Sequence, residues 1–336
     1  MFGKTGFASK HATKKLLKFL DKINPDIVHL HNIHGYYLNI ELLFNYLKEK
    51  QIRVIWTLHD CWSFTGQCAF FDYVGCDKWQ TECKNCPMLS EYPKSFVDSS
   101  KWNYQKKKEL FTGLNITLVT PSKWLASLVK NSYLKVYDVK VINNGIDLNV
   151  FKPTPSNFRE KYCLKDKKMI LGVAGVWDRR KGLNDFIELS KLLDDNYVIV
   201  LVGLNDKQLD LLPHNIIGIK RTENQQELAG LYTTADVFFN PTYEDNYPTV
   251  NLESLACGTP VITYDTGGSP EFVDFFDSHY HPVISKAKLC DEDFNYIVDN
   301  INNCMRQKRI INLIDKKKLH FSNMVSAYIE IYKSLR

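Results

Sequence analysis

The sequence has no stretch of eighteen consecutive apolar residues, and its opening Met1-Phe2-Gly3-Lys4 runs into a polar segment rather than an apolar core. Neither a membrane-spanning helix nor a secretory leader is expected, and the cytoplasm is the expected compartment. Internal repeats and low-complexity tracts are absent, which excludes repeat architectures. An excess of one charge is also missing. The 43 basic and 38 acidic residues leave a net +5, spread along the chain. That balance argues against nucleic acid as a partner and still allows contact with anionic lipid or a phosphorylated substrate. What is there is ordinary for a globular protein: 44% hydrophobic and 24% charged residues over 336 positions, enough for two domains with separate cores. The nine cysteines, in a reducing compartment, are expected as thiols or metal ligands and not as disulfides.

Short apolar runs alternate with helical patterns, the signature of parallel sheets built from β-α-β units. Strands are expected near Asp26 to His31, Ile52 to Leu58, Ile116 to Thr120 and Val139 to Ile142. A second set is expected near Met169 to Ala174, Tyr197 to Gly203, Ile216 to Lys220, Asp236 to Phe239 and Pro260 to Tyr264. Between the sets, Asn143-Asn144-Gly145-Ile146-Asp147 and Lys152-Pro153-Thr154-Pro155 interrupt any regular element and mark a boundary and hinge. The expected domains are residues 1–150, with a cysteine-rich loop at 61–90, and residues 151–317, followed by a terminal helix in 318–336 that packs back toward the first domain. The first domain opens on a basic helix, Ser9 to Ile23, where a doubly wound sheet normally opens with a strand and a glycine-rich turn. It is therefore expected to lack its opening strand or strands, through a misplaced start, a natural fragment or an edge supplied by a partner.

Two segments of the second half carry the chemistry. In Asn240 to Ile262, a buried strand leads through a turn into a helix whose apolar face is Leu252, Leu255 and Ala256. Asp245 and Glu253 lie eight positions apart around that turn, where ligands of open α/β sheets sit. A helix start there offers amides of Thr249 and Val250 to a diphosphate. Glu253 is placed to accept the hydroxyls of a ribose, and Asp245 or Glu244 those of a sugar. The competing reading is a capped core helix with two solvated acids. In the other segment, Met169 to Gly175 reads as a strand and is followed by Trp177-Asp178-Arg179-Arg180-Lys181-Gly182. Charge-assisted bonds from Arg179 or Arg180 and from Lys181 suit a diphosphate without a metal.

With these segments stand Pro25-Asp26-Ile27-Val28-His29-Leu30-His31, Thr57-Leu58-His59-Asp60, Thr120-Pro121-Ser122 and Val141 to Asp147, in order over nearly the whole chain. Together they resemble a glycosyltransferase of family 4 with the GT-B architecture, two Rossmann-like doubly wound domains facing a cleft. Within that family the chain is similar to bacterial enzymes that build capsular, exopolysaccharide or colanic-acid-like chains. The resemblance implies retaining transfer of a hexose from a nucleoside diphosphate sugar to a hydroxyl acceptor, with no catalytic metal. It implies that Glu253 binds the ribose, Asp245 faces the donor sugar with Glu244 alongside, Lys181 with Arg179 or Arg180 holds the diphosphate, and His59 approaches the sugar from the first domain. Many relatives carry arginine where Val176 stands here.

Other features stand beside the resemblance. His29, His31, His34 and His59 crowd two strand ends without a carboxylate pair that would complete a metal site, and neutral hydrogen-bonded imidazoles are the expected state. The spacing Cys68-x7-Cys76-x6-Cys83-x2-Cys86 is that of a structural zinc staple or of four buried thiols. Lys10, Lys14, Lys15, Lys18 and Lys22 on the first helix suit peripheral contact with the inner face of an anionic cytoplasmic membrane, and hence a lipid-linked glycan acceptor. The alternative functions are a GT-B nucleotide-sugar epimerase and a non-catalytic nucleotide-sugar-binding or scaffold subunit.

Overall fold

The computed structural model describes residues 3–275, 283–284, 291–306 and 315–335. Met1, Phe2 and Arg336, and the stretches 276–282, 285–290 and 307–314 of the expected second domain, lie outside the described residues. The chain divides into two compact units, Met1–Asn143 with Val325–Arg336, and Asn144–Met324.

The first unit is a parallel sheet of β1 (Ile27–Leu30), β2 (Arg53–Thr57), β3 (Ile116–Thr120) and β4 (Val139–Val141), hydrogen-bonded in that order. Its helices are α1 (Lys10–Ile23), α2 (Ile40–Glu49), α3 (Ser100–Phe111) and α4 (Lys123–Lys130). Local sequence explains where they begin: the Asn39 side chain accepts the Leu42 amide, and the Ser122 hydroxyl accepts the Leu125 amide. In α2 the buried residues Ile40, Leu43, Phe44 and Leu47 recur at the spacing of one helical face. That face meets Trp56 and Phe111, whose rings lie 5.4 and 4.5 Å from Phe44.

The second unit is a six-stranded parallel sheet among the described residues. In chain order it contains α5 (Phe158–Lys161), β5 (Lys168–Val173), α6 (Leu183–Leu192), β6 (Tyr197–Val202), α7 (Asp206–Leu209), β7 (Ile216–Ile219), α8 (Gln225–Thr234), β8 (Val237–Asn240), α9 (Thr249–Ala256), β9 (Val261–Tyr264), β10 (Val283–Ile284), α10 (Asp291–Arg306) and α11 (Phe321–Ser334), the last crossing into the residues grouped with the first unit. Met169, Ile170 and Leu171 of β5 and Val237 and Phe238 of β8 are fully buried, as strands covered by helices on both faces must be. The strand order β10-β9-β8-β5-β6-β7 decides where a ligand goes. From β5 the chain winds outward to β6 and β7, then crosses back to β8 and winds outward the other way to β9 and β10. The order reverses between β5 and β8, the kind of position at which open α/β sheets take their ligands.

Candidate active site

The loop after β5 carries the cations and the loop after β8 carries the acids, so both sequence segments meet at this switch point. Their backbones are tied together. The Tyr243 amide donates to the Arg180 carbonyl at 2.8 Å, and Arg180 Nη1 donates to the Glu244 carbonyl at 2.9 Å. Gly182 sits at φ 72°, and a Cβ there would stand 2.3 Å from the Pro241 carbonyl oxygen. Gly267, after β9, sits at φ 57° with its would-be Cβ 2.0 Å from the Asp245 carbonyl oxygen. Only glycine gives both the left-handed backbone and the close approach, so three loops pack against one another here.

Lys181 and Asp245 form an ion pair within this packing, with side chains 18% and 15% exposed. The Asp178 side chain accepts the Lys181 amide at 3.1 Å and fixes the turn that presents the lysine. The two arginines divide their work. Arg180 is held by the Glu244 carbonyl and lies 3.8 Å from the Asp178 carboxylate, so it braces the acidic turn, whereas the Arg179 side chain is exposed. Glu244 is 4% exposed and Asp245 is half-buried, so neither is a solvated surface acid.

At α9, Pro248 precedes the helix and no side chain caps it, which leaves the Thr249 and Val250 end of the helix to offer its amides outward. Glu253 lies one turn in. It accepts the Tyr232 hydroxyl at 3.1 Å and a bond from Thr249. Burial pushes its carboxyl above the ordinary range, while those two hydrogen bonds pull the other way. Behind it, Asn251 accepts from the Asn240 side chain at 2.9 Å and donates to the Ser269 carbonyl at 3.1 Å, joining the end of β8, the helix start and the segment after β9.

Sequence reasoning missed several of these supports. Asp185, on α6 directly after the cationic loop, is 4% exposed and accepts the hydroxyls of Tyr243 and Tyr264, each at 2.9 Å. Desolvation drives its carboxyl up to about 6. The available signal was its place on the apolar face of α6, one turn before Leu189. Tyr232, which holds Glu253, lies on α8 and gave no local sign.

In the first unit the four histidines are hydrogen-bonded imidazoles. His29 bonds through Nδ1 to the Tyr332 hydroxyl at 2.7 Å and through Nε2 to Thr57 at 2.8 Å, and burial lowers it to about 4. His31 Nδ1 and His59 Nε2 are 2.9 Å apart, so one donates to the other, and burial lowers both. His34 Nε2 meets the Asp60 carboxylate at 2.8 Å. The five lysines of α1 are all exposed.

Cys68, Cys76, Cys83 and Cys86 line one pocket, together with Phe71 and Trp79. Yet among the described residues no group of three or more His, Cys, Asp or Glu side chains is placed to hold a metal ion. Cys68 and Cys86 are free thiols joined by a hydrogen bond, and Cys83 accepts the Gly66 amide at 3.2 Å. The hydrogen bond with Cys86 and then burial raise the Cys68 thiol well above its usual value, the same bond lowers Cys86 to about 7, and burial raises Cys83 to about 11.

The family model for glycosyl transferases group 1 matches residues 156–312, and that for glycosyltransferase family 4 matches residues 4–150. The chain thus carries a glycosyltransferase family 4 domain followed by a glycosyl transferases group 1 domain. WcaC of Escherichia coli K12, named as a glycosyl transferase of colanic acid biosynthesis, is 28% identical over 74% of this chain. The processive diacylglycerol alpha-glucosyltransferase of Acholeplasma laidlawii is 28% identical over 48% of it. The chain spans 62% of the length of the first relative and 52% of the second. In fold, the chain is similar to sucrose-phosphate synthase of Thermosynechococcus elongatus, with TM-score 0.68 and 16% identity over 96% of this chain and 78% of that one. It is also similar to Anabaena HepE in complex with UDP, with TM-score 0.66 and 15% identity over 96% and 82%. Both likenesses are to GT-B glycosyltransferases, the architecture anticipated from the sequence. Among the described residues no helix is long and apolar enough to cross a membrane.

Proposed function

We propose that this protein transfers a hexose, with retention of anomeric configuration, from a nucleoside diphosphate sugar to a hydroxyl acceptor. The observation that carries the reading is the convergence of Lys181, the uncapped start of α9 and Glu253 at the reversal of strand order in the second unit. Lys181, Arg179 and the Thr249 and Val250 amides hold the diphosphate, whose charge grows as it departs; fixed donors in a water-poor site stabilise it without reorganising. Each charge-assisted bond contributes roughly 1.5–3 kcal/mol when desolvated. Glu253, oriented by Tyr232, accepts ribose hydroxyls, and Asp245 beside Glu244 faces the sugar. In this reading the second unit is the donor half and the first the acceptor half.

HepE, a fold neighbour, is described in complex with UDP and glucose, in support of a UDP-linked donor. The acceptor in this reading is a lipid-linked glycan of surface polysaccharide synthesis. The name of WcaC supports the glycan, and the exposed lysines of α1 around exposed Phe19 and Ile23 support a peripheral seat on anionic lipid at the cytoplasmic face. Calorimetry against UDP-, GDP- and ADP-hexoses tests the donor reading: one nucleotide series gives heat, and Lys181→Met weakens it about tenfold or more. Absence of heat from every donor defeats it.

A further inference from the structure

Two cysteines that the transferase reading leaves unused stand in contact with each other. Cys68 and Cys86 are free thiols joined by a hydrogen bond, in one pocket with Cys76 and Cys83. Their surroundings differ. Cys86 is half-buried, and its sulfur accepts both the Cys68 thiol and the Met88 amide. The Lys78 ammonium also acts on it and is tethered beside it, donating to the Asn85 carbonyl at 2.9 Å. Asp98 opposes these donors and accepts the Cys86 amide at 2.9 Å. Donors gathered on a sulfur that solvent reaches favour the thiolate, the form that attacks oxidants. Cys68 is 6% exposed, with its carbonyl held by the Thr65 hydroxyl at 2.6 Å, so its nearest reactive neighbour is the Cys86 sulfur and not solvent. The other two thiols of the pocket lack this pairing. Cys83 is buried and its sulfur accepts the Gly66 amide, and Cys76 makes no side-chain hydrogen bond among the described residues.

We infer that Cys86 and Cys68 form a peroxide-sensitive couple, with Cys86 the attacking sulfur and Cys68 the resolving one, which closes to a disulfide. The Cys86 thiolate attacks one oxygen of hydrogen peroxide and the O–O bond breaks. The departing hydroxide takes up the proton that Cys86 had given to solvent and leaves as water, and Cys86 becomes a sulfenic acid. The Cys68 sulfur then displaces the hydroxyl from Cys86, and its own proton leaves with that hydroxyl as a second water. Two thiols thus give up two electrons and two hydrogens, and one peroxide is reduced to two waters. Because the resolving thiol is already in hydrogen-bond contact, capture of the sulfenic acid outruns attack by a second peroxide. The couple belongs to the first unit and holds whatever the second unit binds.

The test treats the full chain, reduced with dithiothreitol and then freed of it, with a small excess of hydrogen peroxide, and reads the product by intact-mass and peptide mass spectrometry. The chain is expected to lose two hydrogens, to yield a crosslinked peptide pair joining Cys68 to Cys86, and to recover both thiols in dithiothreitol. Cys86→Ser abolishes the loss of hydrogens, and Cys76→Ser keeps it. In Cys68→Ala, dimedone labels Cys86 about tenfold or more above any other cysteine. Circular dichroism of each reduced variant, matched to the unmodified chain, shows that it folds; should Cys68→Ala fail to fold, the crosslink in the unmodified chain alone carries or sinks the couple. A crosslink between other cysteines, oxidation of Cys86 beyond the sulfenic acid with no crosslink, or hydrogen loss unchanged in Cys86→Ser overturns it. Release of one equivalent of zinc in step with the crosslink also overturns it, because these sulfurs would then be metal ligands and not a free thiol couple.

Discussion

Asp185 gives the sharpest test of how the donor half is built. Its carboxyl is buried beneath the two loops, and with only the Tyr243 and Tyr264 hydroxyls as partners it is driven from the ordinary 3.8 to about 6. The sign follows from linkage. The folded state binds this proton more tightly than the unfolded chain, so Asp185 contributes stability that is fully present below about 3.8 and is lost as pH rises through about 6. At about 1.4 kcal/mol for each tenfold change in proton affinity, the loss totals roughly 3 kcal/mol, most of it between about pH 4 and 6. Asp185→Asn removes the titration and keeps an acceptor for one tyrosine at a cost of about 1 kcal/mol in hydrogen bonding. In urea unfolding the variant should therefore be slightly less stable than the wild type near pH 4 and more stable by about 2 kcal/mol at pH 7. Other acids titrate in both proteins and cancel in the difference. Parallel stability curves for wild type and variant from pH 4 to 7 would refute the argument.

Three further outcomes are expected. Because burial raises the Glu253 carboxyl and the ribose needs it ionised, donor affinity should fall on acidification from pH 7 earlier than for an ordinary carboxylate. Glu253→Gln should bind donor about tenfold more weakly at pH 7 and show a flat pH profile by calorimetry; an equally steep profile in the variant assigns the titration elsewhere. Asp245→Asn frees Lys181 from its ion pair, so UDP should bind several-fold more tightly, by roughly 1 kcal/mol, while the preference for UDP-hexose over UDP shrinks; unchanged affinities for both would mean that the pair does not gate the site. Cys76→Ser should leave the melting temperature nearly unchanged, because Cys76 is half-buried, and elemental analysis of the purified protein decides the zinc reading: one equivalent, lost with Cys83→Ser, supports it, and none ends it.

Much of the fold was legible because parallel strands buried on both faces announce themselves as short apolar runs. The expected strands at Ile116 to Thr120 and Tyr197 to Gly203, for example, appear at Ile116–Thr120 and Tyr197–Val202. The strand order was not legible, since periodicity marks an element but says nothing of its neighbour. The cationic and acidic segments could each be found from their own residues. Their contact, sealed by Gly182 against Pro241, joins positions nearly sixty residues apart and left no local trace. The roles of Arg179 and Arg180 were left open for the same reason: which guanidinium turns inward depends on where the Glu244 carbonyl lies. For the cysteines, spacing alone left a metal staple and packed thiols both open; the fold brings all four to one pocket beside Phe71 and Trp79, with Cys83 accepting the Gly66 amide.

The welding of these loops has a consequence for how the donor half can act. Lys181 is presented by a turn fixed by Asp178, and its neighbour Arg180 is bonded to the turn that carries Asp245. A movement that pulled the lysine away from the acid would break the bonds between Arg180 and the residues 243–244 at the same time, and would expose buried Asp185 to the loss of its tyrosine partners. At about 1 kcal/mol per neutral hydrogen bond, and more for the charged ones, that rearrangement costs several kcal/mol. A ligand with a diphosphate therefore meets a cation already in place and needs only to replace one carboxylate oxygen with its own. Preorganisation of this kind favours the group whose negative charge grows during the reaction over one whose charge is fixed beforehand, which is the property a departing nucleoside diphosphate requires.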